Sequence, residues 1–268
     1  MSDAENRDTR SGSMQHLNDT RERPRFRLQL GIDWGTKTLA EAYRVVSPGN
    51  EESRETIYDI YFGQDSSSTK QAVAWGTDGQ FYWGGEIDRA VQHERIQQQD
   101  VIELFKLALY DDHTTSSTVA MVQEQLRDAG HDLDELITKH IRCLIEAAKE
   151  KVSQAKRWSF MSKEEIENMQ VGLFIGVPQM WWSPTNKKIA DAARAAGCHS
   201  VELVHEARCA ATFYADAIAR AKSSQSRNGD IFIVADVGGG TGDFAIFRIG
   251  NEAGAQAELR QIGRATST

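Results

Sequence analysis

Cysteine is scarce: the 268 residues contain three, Cys143, Cys198 and Cys209. Three cysteines make no disulfide framework, so an apolar core must hold the fold, as suits a reducing compartment, and the cytoplasm is the expected location. Positive charge is also short. Lys and Arg total 31 against 39 Asp and Glu, a net charge of −8. Such a chain has no basic field to hold a nucleic-acid backbone, and nucleic acid is not an expected partner. No apolar run approaches the roughly 20 residues of a membrane span, so no membrane partner is expected. The polar N-terminus lacks the apolar core of a secretory signal. What remains is globular in composition, 40% hydrophobic and 26% charged, and long enough for one large or two ordinary domains.

The chain is organised around Ile231 to Ile249, IFIVADVGGGTGDFAIFRI. Five apolar residues lead into Asp236. Val237, Gly238, Gly239, Gly240 and Thr241 follow, and after Asp243 a second run alternates in character from Phe244 to Ile249. Apolar run, Gly-rich turn and alternating run predict a β-hairpin, with the acid where the first strand ends. A dinucleotide fingerprint does not fit: G-x-G-x-x-G from Gly238 needs glycine where Asp243 stands, and a strand period follows. G-x-x-x-x-G-K-[ST] occurs nowhere. A tight hairpin needs one or two positive-φ residues. Three consecutive glycines exceed that need and predict close backbone approach, with N–H groups free to meet an anion.

Leu28 to Val46, LQLGIDWGTKTLAEAYRVV, repeats the device. An apolar run enters Asp33; Gly35, Thr36, Lys37 and Thr38 follow, then a second apolar-rich run. Asp33 corresponds to Asp236 and Gly35 to Gly238, 203 residues further on. For either acid alone, capping its own turn is the simpler role. Two matched strand–Asp–Gly–Thr–strand units predict instead a duplicated α/β core that clamps phosphates between its halves.

On these residues the chain resembles the actin-like ATPase superfamily. DWGTKT is similar to its first phosphate loop and DVGGGTGD to its second, the latter in the form found in the seventy-kilodalton heat-shock chaperones. VPQMWWSPTNKKIADAARAAGC followed by VELVHEARCAATFYA strengthens the likeness. It points to the divergent branch that includes heat-shock protein family A member twelve and many fungal relatives. The resemblance covers roughly Phe26 to Ile249. It implies an α/β fold, an actin-like ATPase (ribonuclease H-like) lobe with a helical insertion, plus the first strands of a second lobe. It also implies that the second lobe carries an adenine-binding glycine loop. No stretch here matches that loop or the chaperones' peptide-binding β domain, so a truncated product is expected.

The expected division is a disordered tail at 1–24, a first lobe at 25–222 with a subdomain inserted at about 60–165, and the start of a second lobe at 223–268. Within the first lobe, Glu55 to Phe62 reads as a third strand and Asp65 to Thr69 as a Ser-rich loop. Ala72 to Trp75 and Gln80 to Trp83 form a hairpin about Thr77-Asp-Gly. Val101 to Tyr110 has apolar residues at helix spacing, and Asp112 to Thr118 is a polar loop. Leu133 to Ala155 is a long amphipathic helix and Val171 to Val177 a buried strand. Pro184 to Ala196 is a helix with Ser183 as N-cap and Gly197 past its end. Val201 to Val204 is a short strand and Glu206 to Lys222 an Ala-rich helix. Ser223 to Gly229 is a linker, and Leu259 to Ile262 a strand.

The reaction the resemblance implies is hydrolysis of the γ-phosphate of ATP, with Mg²⁺ as cofactor and ADP as product. Phosphoryl transfer is mostly positioning and charge neutralisation, and Mg²⁺ keeps most of its waters, so acids need reach it only through water. By the resemblance, Asp33, Asp236 and Glu206 hold hydrated Mg²⁺ and the attacking water. Gly35, Thr36, Lys37 and Thr38 wrap the phosphates from one side and Gly238, Gly239, Gly240 and Thr241 from the other, with the Thr241 hydroxyl near the γ-phosphate. Lys106 aligns loosely with a lysine that contacts the γ-phosphate, although a lone lysine on a helix is ordinarily solvated. Glu206 also opens a helix, where an acid complements the dipole; Ala207 replaces the family's next residue, proline. Cys198, His199, His205 and Cys209 do not have zinc spacing. Trp181 and Trp182 read as packing residues. Nucleotide is the expected ligand, and co-chaperones or client proteins the expected partners. A non-catalytic nucleotide sensor or interaction protein is the alternative, and a sugar kinase of the same superfamily the third reading.

Overall fold

The computed structural model describes residues 26–47, 56–62, 66–109, 117–179, 181, 183–220, 229–239, 242–250, 258–263 and 266–267. Strand β1 (Arg27–Trp34) buries every second residue, as a strand with one apolar row must. It turns through Gly35 into β2 (Thr38–Val46), antiparallel, with Asp33 opposite Ala40 and Trp34 opposite Leu39. Short strands β3 (Tyr58–Asp59) and β4 (Ser68–Lys70) pair with the outer side of β2. The strand expected over Glu55 to Phe62 is therefore two residues long, and the expected Ser-rich loop yields its end to β4. Strands β5 (Ala72–Trp75) and β6 (Phe81–Trp83) make the hairpin that Thr77-Asp-Gly signals, with Gly79 at φ 75°. Ile87 and Ala90 of helix α1 (Glu86–Gln92) pack on Ala72, Ala74 and Tyr82 of that hairpin.

Val101 to Tyr110 departs from the helix expected of it. Strand β7 (Ile102–Glu103) joins β5, giving a three-stranded sheet of order β6-β5-β7. Leu104 then takes a left-handed φ of 58°, which an α-helix cannot contain, and a 3₁₀ turn over Phe105–Leu109 follows. The apolar spacing is met by burying Phe105 and Leu109 from this tighter turn, and Lys106 is buried with them. Helix α2 (Ser117–Asp128), which the periodicity did not reveal, comes next. Helix α3 (Leu133–Gln154) follows the expected bounds. The Asp132 carboxylate caps it by accepting from the Glu135 N–H at 2.8 Å. The short α4 (Lys163–Glu167) starts with a Ser162/Glu165 capping box.

Strand β8 (Gln170–Val177) runs parallel to β1. Helix α5 (Ser183–Ala195) starts at Ser183 itself rather than after it, and Gly197 at φ 109° ends it. Strand β9 (Cys198–His205) is twice the expected length, because its pairing with β8 runs from Val171↔Cys198 to Val177↔His205. The first sheet has order β3-β2-β1-β8-β9 with β4 also on β2. Leu28, Leu30, Ile32, Val171, Leu173 and Ile175 bury one face of it against α3 and α5.

Helix α6 (Glu206–Arg220) leaves β9 without a loop. Beyond it, β10 (Ile231–Val237), β11 (Gly242–Gly250), β12 (Glu258–Gln261) and β13 (Thr266–Ser267) form a second sheet, order β10-β11-β12 with β13 beside β11. Ala207 and Ala211, one helical turn apart, pack on Ala245 and Phe247, with Phe232, Val234 and Leu259 around them. Small side chains let α6 sit close, and so α6 joins the two sheets. The chain is a mixed α/β protein, and among the described residues no helix is long and apolar enough to cross a membrane. The expected tail at 1–24, the Ser47-Pro-Gly-Asn turn beyond Ser47, most of the loop at 112–118, Trp182, most of the linker at 223–229, Gly240 and Thr241 lie outside the described residues.

Candidate functional site

Both Asp–Gly hairpins deliver their acids to one place. Alternation along β1 puts Gln29, Gly31 and Asp33 on the face of the first sheet away from α3 and α5, and that face lines a cavity of about 780 Å³. Asp236 comes from the end of β10, Glu206 from the first residue of α6, and both line the same cavity. Glu206 can sit there because β9 ends directly beneath it and because Gly176 of β8 leaves room. A Cβ on Gly176 would stand 3.2 Å from Glu206 Cγ.

Lys106 completes the cluster. Its ammonium donates to Glu206 Oε1 at 2.9 Å and lies 5.4 Å from the centre of the Trp181 ring. The lysine is 2% exposed, so the solvated helical reading is overturned. The left-handed turn at Leu104 aims this side chain inward, and a buried ammonium must find a carboxylate. Glu206 is paired with this cation, and Asp33 feels its charge. Desolvation raises Glu206; Lys106 pulls it back, and Asp236 and Asp33 push it further up. Asp33 is raised by desolvation, lowered by Lys106 and raised by Asp236. Asp33 and Glu206 are both raised by neighbouring carboxylates, so the cluster favours an added cation. Among the described residues no three His, Cys, Asp or Glu side chains are placed to hold a metal directly. A divalent ion would have to reach Asp33, Glu206 and Asp236 through its waters.

The two glycine loops touch each other. Gly35 allows the first to fold tightly, since a Cβ there would lie 2.5 Å from the Thr38 carbonyl oxygen. Thr36 is buried, Thr38 begins β2, and Gln71 N–H donates to the Lys37 carbonyl at 2.8 Å. In the second loop a Cβ on Gly239 would lie 2.6 Å from Lys37 Cδ. The loops, one from each sheet, are thus in contact. Gly238 and Gly239 stand at the mouth of the fold, exposed. Glycine is required at Gly35 and Gly239 by close contacts with the Thr38 carbonyl and the Lys37 stem.

Two neighbours gain a place here: Asp243, to which the sequence reading gave no role, and Cys209, which it weighed only as a zinc ligand. Asp243 is directly opposite Asp236 across β10 and β11, and is buried. Its signal was present, because a hairpin closed between Val237 and Gly242 necessarily pairs the two aspartates. Cys209, one turn along α6 from Glu206, lines the cavity. Desolvation raises its thiol, and Asp33 and Glu206 raise it further, which keeps it protonated. Cys198 is buried in the first core, and burial pushes its thiol up to about 11. Compared with protein-family models and with curated proteins, the sequence matches none.

Proposed function

We propose that the chain is the nucleotide-binding part of a heat-shock-70-like ATPase with the actin-like fold, binding ATP and Mg²⁺ at the meeting point of its two Asp–Gly hairpins. The observation that carries this reading is that Asp33, Glu206 and Asp236 line one cavity, with Glu206 paired to the buried Lys106, and that the two glycine loops are in contact. The loops' backbone N–H groups and Lys37 hold the phosphates, and Asp33, Glu206 and Asp236 hold the hydrated metal. When bound, Mg²⁺ neutralises charge on the phosphate oxygens. Lys106 keeps Glu206 in place through Oε1, which leaves Oε2 to accept a hydrogen bond from a water. The cytoplasm, a coupling to chaperone-type movement, and co-chaperone or client partners belong to the same proposal.

The test is calorimetric titration with ATP and Mg²⁺ beside a phosphate-release assay. Mg²⁺-dependent binding is expected, with little turnover because no stretch of the sequence matches the adenine-binding glycine loop that the resemblance implies. Absence of Mg²⁺-dependent binding overturns the proposal. Binding without any turnover, even on extending the chain, favours the nucleotide-sensor reading.

A further inference from the structure

The segment from Ile102 to Leu109, IELFKLAL, is built against its own local preference. It is rich in Leu, Ala, Glu and Lys, all strong helix formers, and its apolar residues recur at helix spacing. The chain nonetheless runs through a two-residue strand, a left-handed residue and a 3₁₀ turn. At φ 58°, Leu104 stands where any side chain but glycine is strained. Helix formers held in a strained turn mark a conflict between local and tertiary forces, and such conflicts collect at functional positions. Tertiary contacts hold the turn in place. The Lys106 ammonium donates to Glu206 Oε1 at 2.9 Å. Phe105 packs on both Trp34 and His140, with ring centres 5.8 and 5.6 Å away. The Thr185 hydroxyl donates to the Leu109 carbonyl at 3.1 Å. On the other side of Leu104, Ile102 pairs with Val73 and Glu103 with Ala72, which makes β7 the outer strand of the β6-β5-β7 sheet.

We propose that this segment is a two-state switch that ties the charge of the acid cluster to the β6-β5-β7 sheet. In the observed state Lys106 is held by Glu206, Leu104 is strained and β7 is paired. In the other state the segment winds into α-helix through Leu104. The strain is released, Lys106 leaves the acid cluster and β7 leaves β5. The three changes come together, because an α-helix contains neither a left-handed residue nor a ladder partner. The Lys106–Glu206 pair is the contact that a change of charge can loosen. Whatever alters the acid cluster therefore shifts the population, and the inserted sheet reports it. The switch stands on these contacts whether or not a nucleotide is the ligand.

The experiment is amide hydrogen exchange with far-ultraviolet circular dichroism on the 268-residue chain. Lys106→Met removes the tie and keeps an unbranched, helix-forming side chain. Exchange of the β5 and β7 amides should quicken at least about tenfold relative to β1, and helical ellipticity should rise. Glu206→Gln keeps the shape of the tie and removes its charge. It should act in the same direction by a smaller factor, and it decides the matter if Lys106→Met fails to fold. Leu104→Gly and Leu104→Ala lose the same contacts, but only glycine escapes the strain. Glycine should therefore give the higher urea midpoint, the reverse of their order in a helix. Combined with Lys106→Met, Leu104→Gly should return β5 and β7 toward the wild-type exchange rate. Unchanged exchange of β5 and β7 in both tie variants overturns the switch, as does exchange that quickens equally in β1. Faster exchange without added ellipticity overturns the helical second state. A higher midpoint for alanine than for glycine at position 104 overturns the stored strain.

Discussion

The two Asp–Gly hairpins share a local pattern but not a setting. β1 is flanked by β2 on one side and β8 on the other, with one face sealed by α3 and α5. β10 is the edge of its sheet, and its outward row stays open: Ile231, Ile233 and Val237 are 56%, 65% and 73% exposed. The inward row of β10, Phe232 and Val234, packs in a small cluster with Ala207 and Ala211 of α6 and Ala245 and Phe247 of β11. One strand–Asp–Gly–strand pattern can thus be the middle of a core or the rim of a small sheet. The pattern sets the turn and the place of the acid; its neighbours set the burial energy.

The sharpest test of that difference is a matched pair. Leu30→Ala, at a fully buried position in β1, should cost about 4 kcal/mol, the range for emptying a core leucine site. Ile233→Ala in β10 should stay within about 0.5 kcal/mol, as exposed substitutions do. Urea unfolding measures both. Equal losses would mean that a partner or further chain covers β10 in solution. Its open apolar edge should also promote self-association, visible as light scattering that falls in Ile233→Thr.

Next in size is the lysine that joins the hairpins. Lys106→Met removes the cation that pairs with Glu206 and is felt by Asp33. A buried carboxylate that loses its partner costs about 3 kcal/mol, and Glu206 should rise further above the ordinary carboxylate range. The loss should be greater at neutral than at acid pH, since protonation relieves the stranded charge. A stability change independent of pH would show that Lys106 contributes by packing on Trp181.

A smaller effect compares the acids themselves. Asp33→Asn and Asp236→Asn each keep shape and remove one charge from the proposed metal site. Where turnover is measurable, Mg²⁺-dependent hydrolysis should fall at least about tenfold in each, about 1.4 kcal/mol of barrier. Nucleotide binding should weaken less, because the backbone donors remain. If one substitution is silent, the hairpins are alike in shape but not in role.

The smallest effect probes a position where the hairpins diverge. Before the acid, β1 pairs Ile32 with Glu41, whereas β10 pairs Ala235 with Phe244. Glu41 is 3% exposed, and neither carboxylate oxygen meets a hydrogen-bond partner. Burial pushes it well above the ordinary carboxylate range. The folded state keeps a proton that the unfolded chain releases, so stability is full below the unfolded value and is lost as pH rises through the raised folded one. Asp33 and Glu206, also raised, add to the fall with the same sign. In Glu41→Gln the urea midpoint should fall less steeply as pH rises above the ordinary carboxylate range. An unchanged slope would place the titration in the acid cluster alone.

Local signals in the sequence suffice for the hairpins, the long α3, the β8 strand and the acids at strand ends. Glycine turns, period-two runs and a helical apolar stripe act through neighbours in the chain, and so can be read there. Other features turn on residues far apart in sequence. Val101 to Tyr110 has helical spacing, yet tertiary packing makes its described residues, up to Leu109, a strand and a 3₁₀ turn. The partner that buries Lys106 is Glu206, a hundred residues away. The buried Glu41 and the contact of Lys37 with Gly239 are equally non-local. The free energy of burying a charge, or of closing two loops on each other, depends on which surfaces meet, and only the packed sheets and α6 decide that.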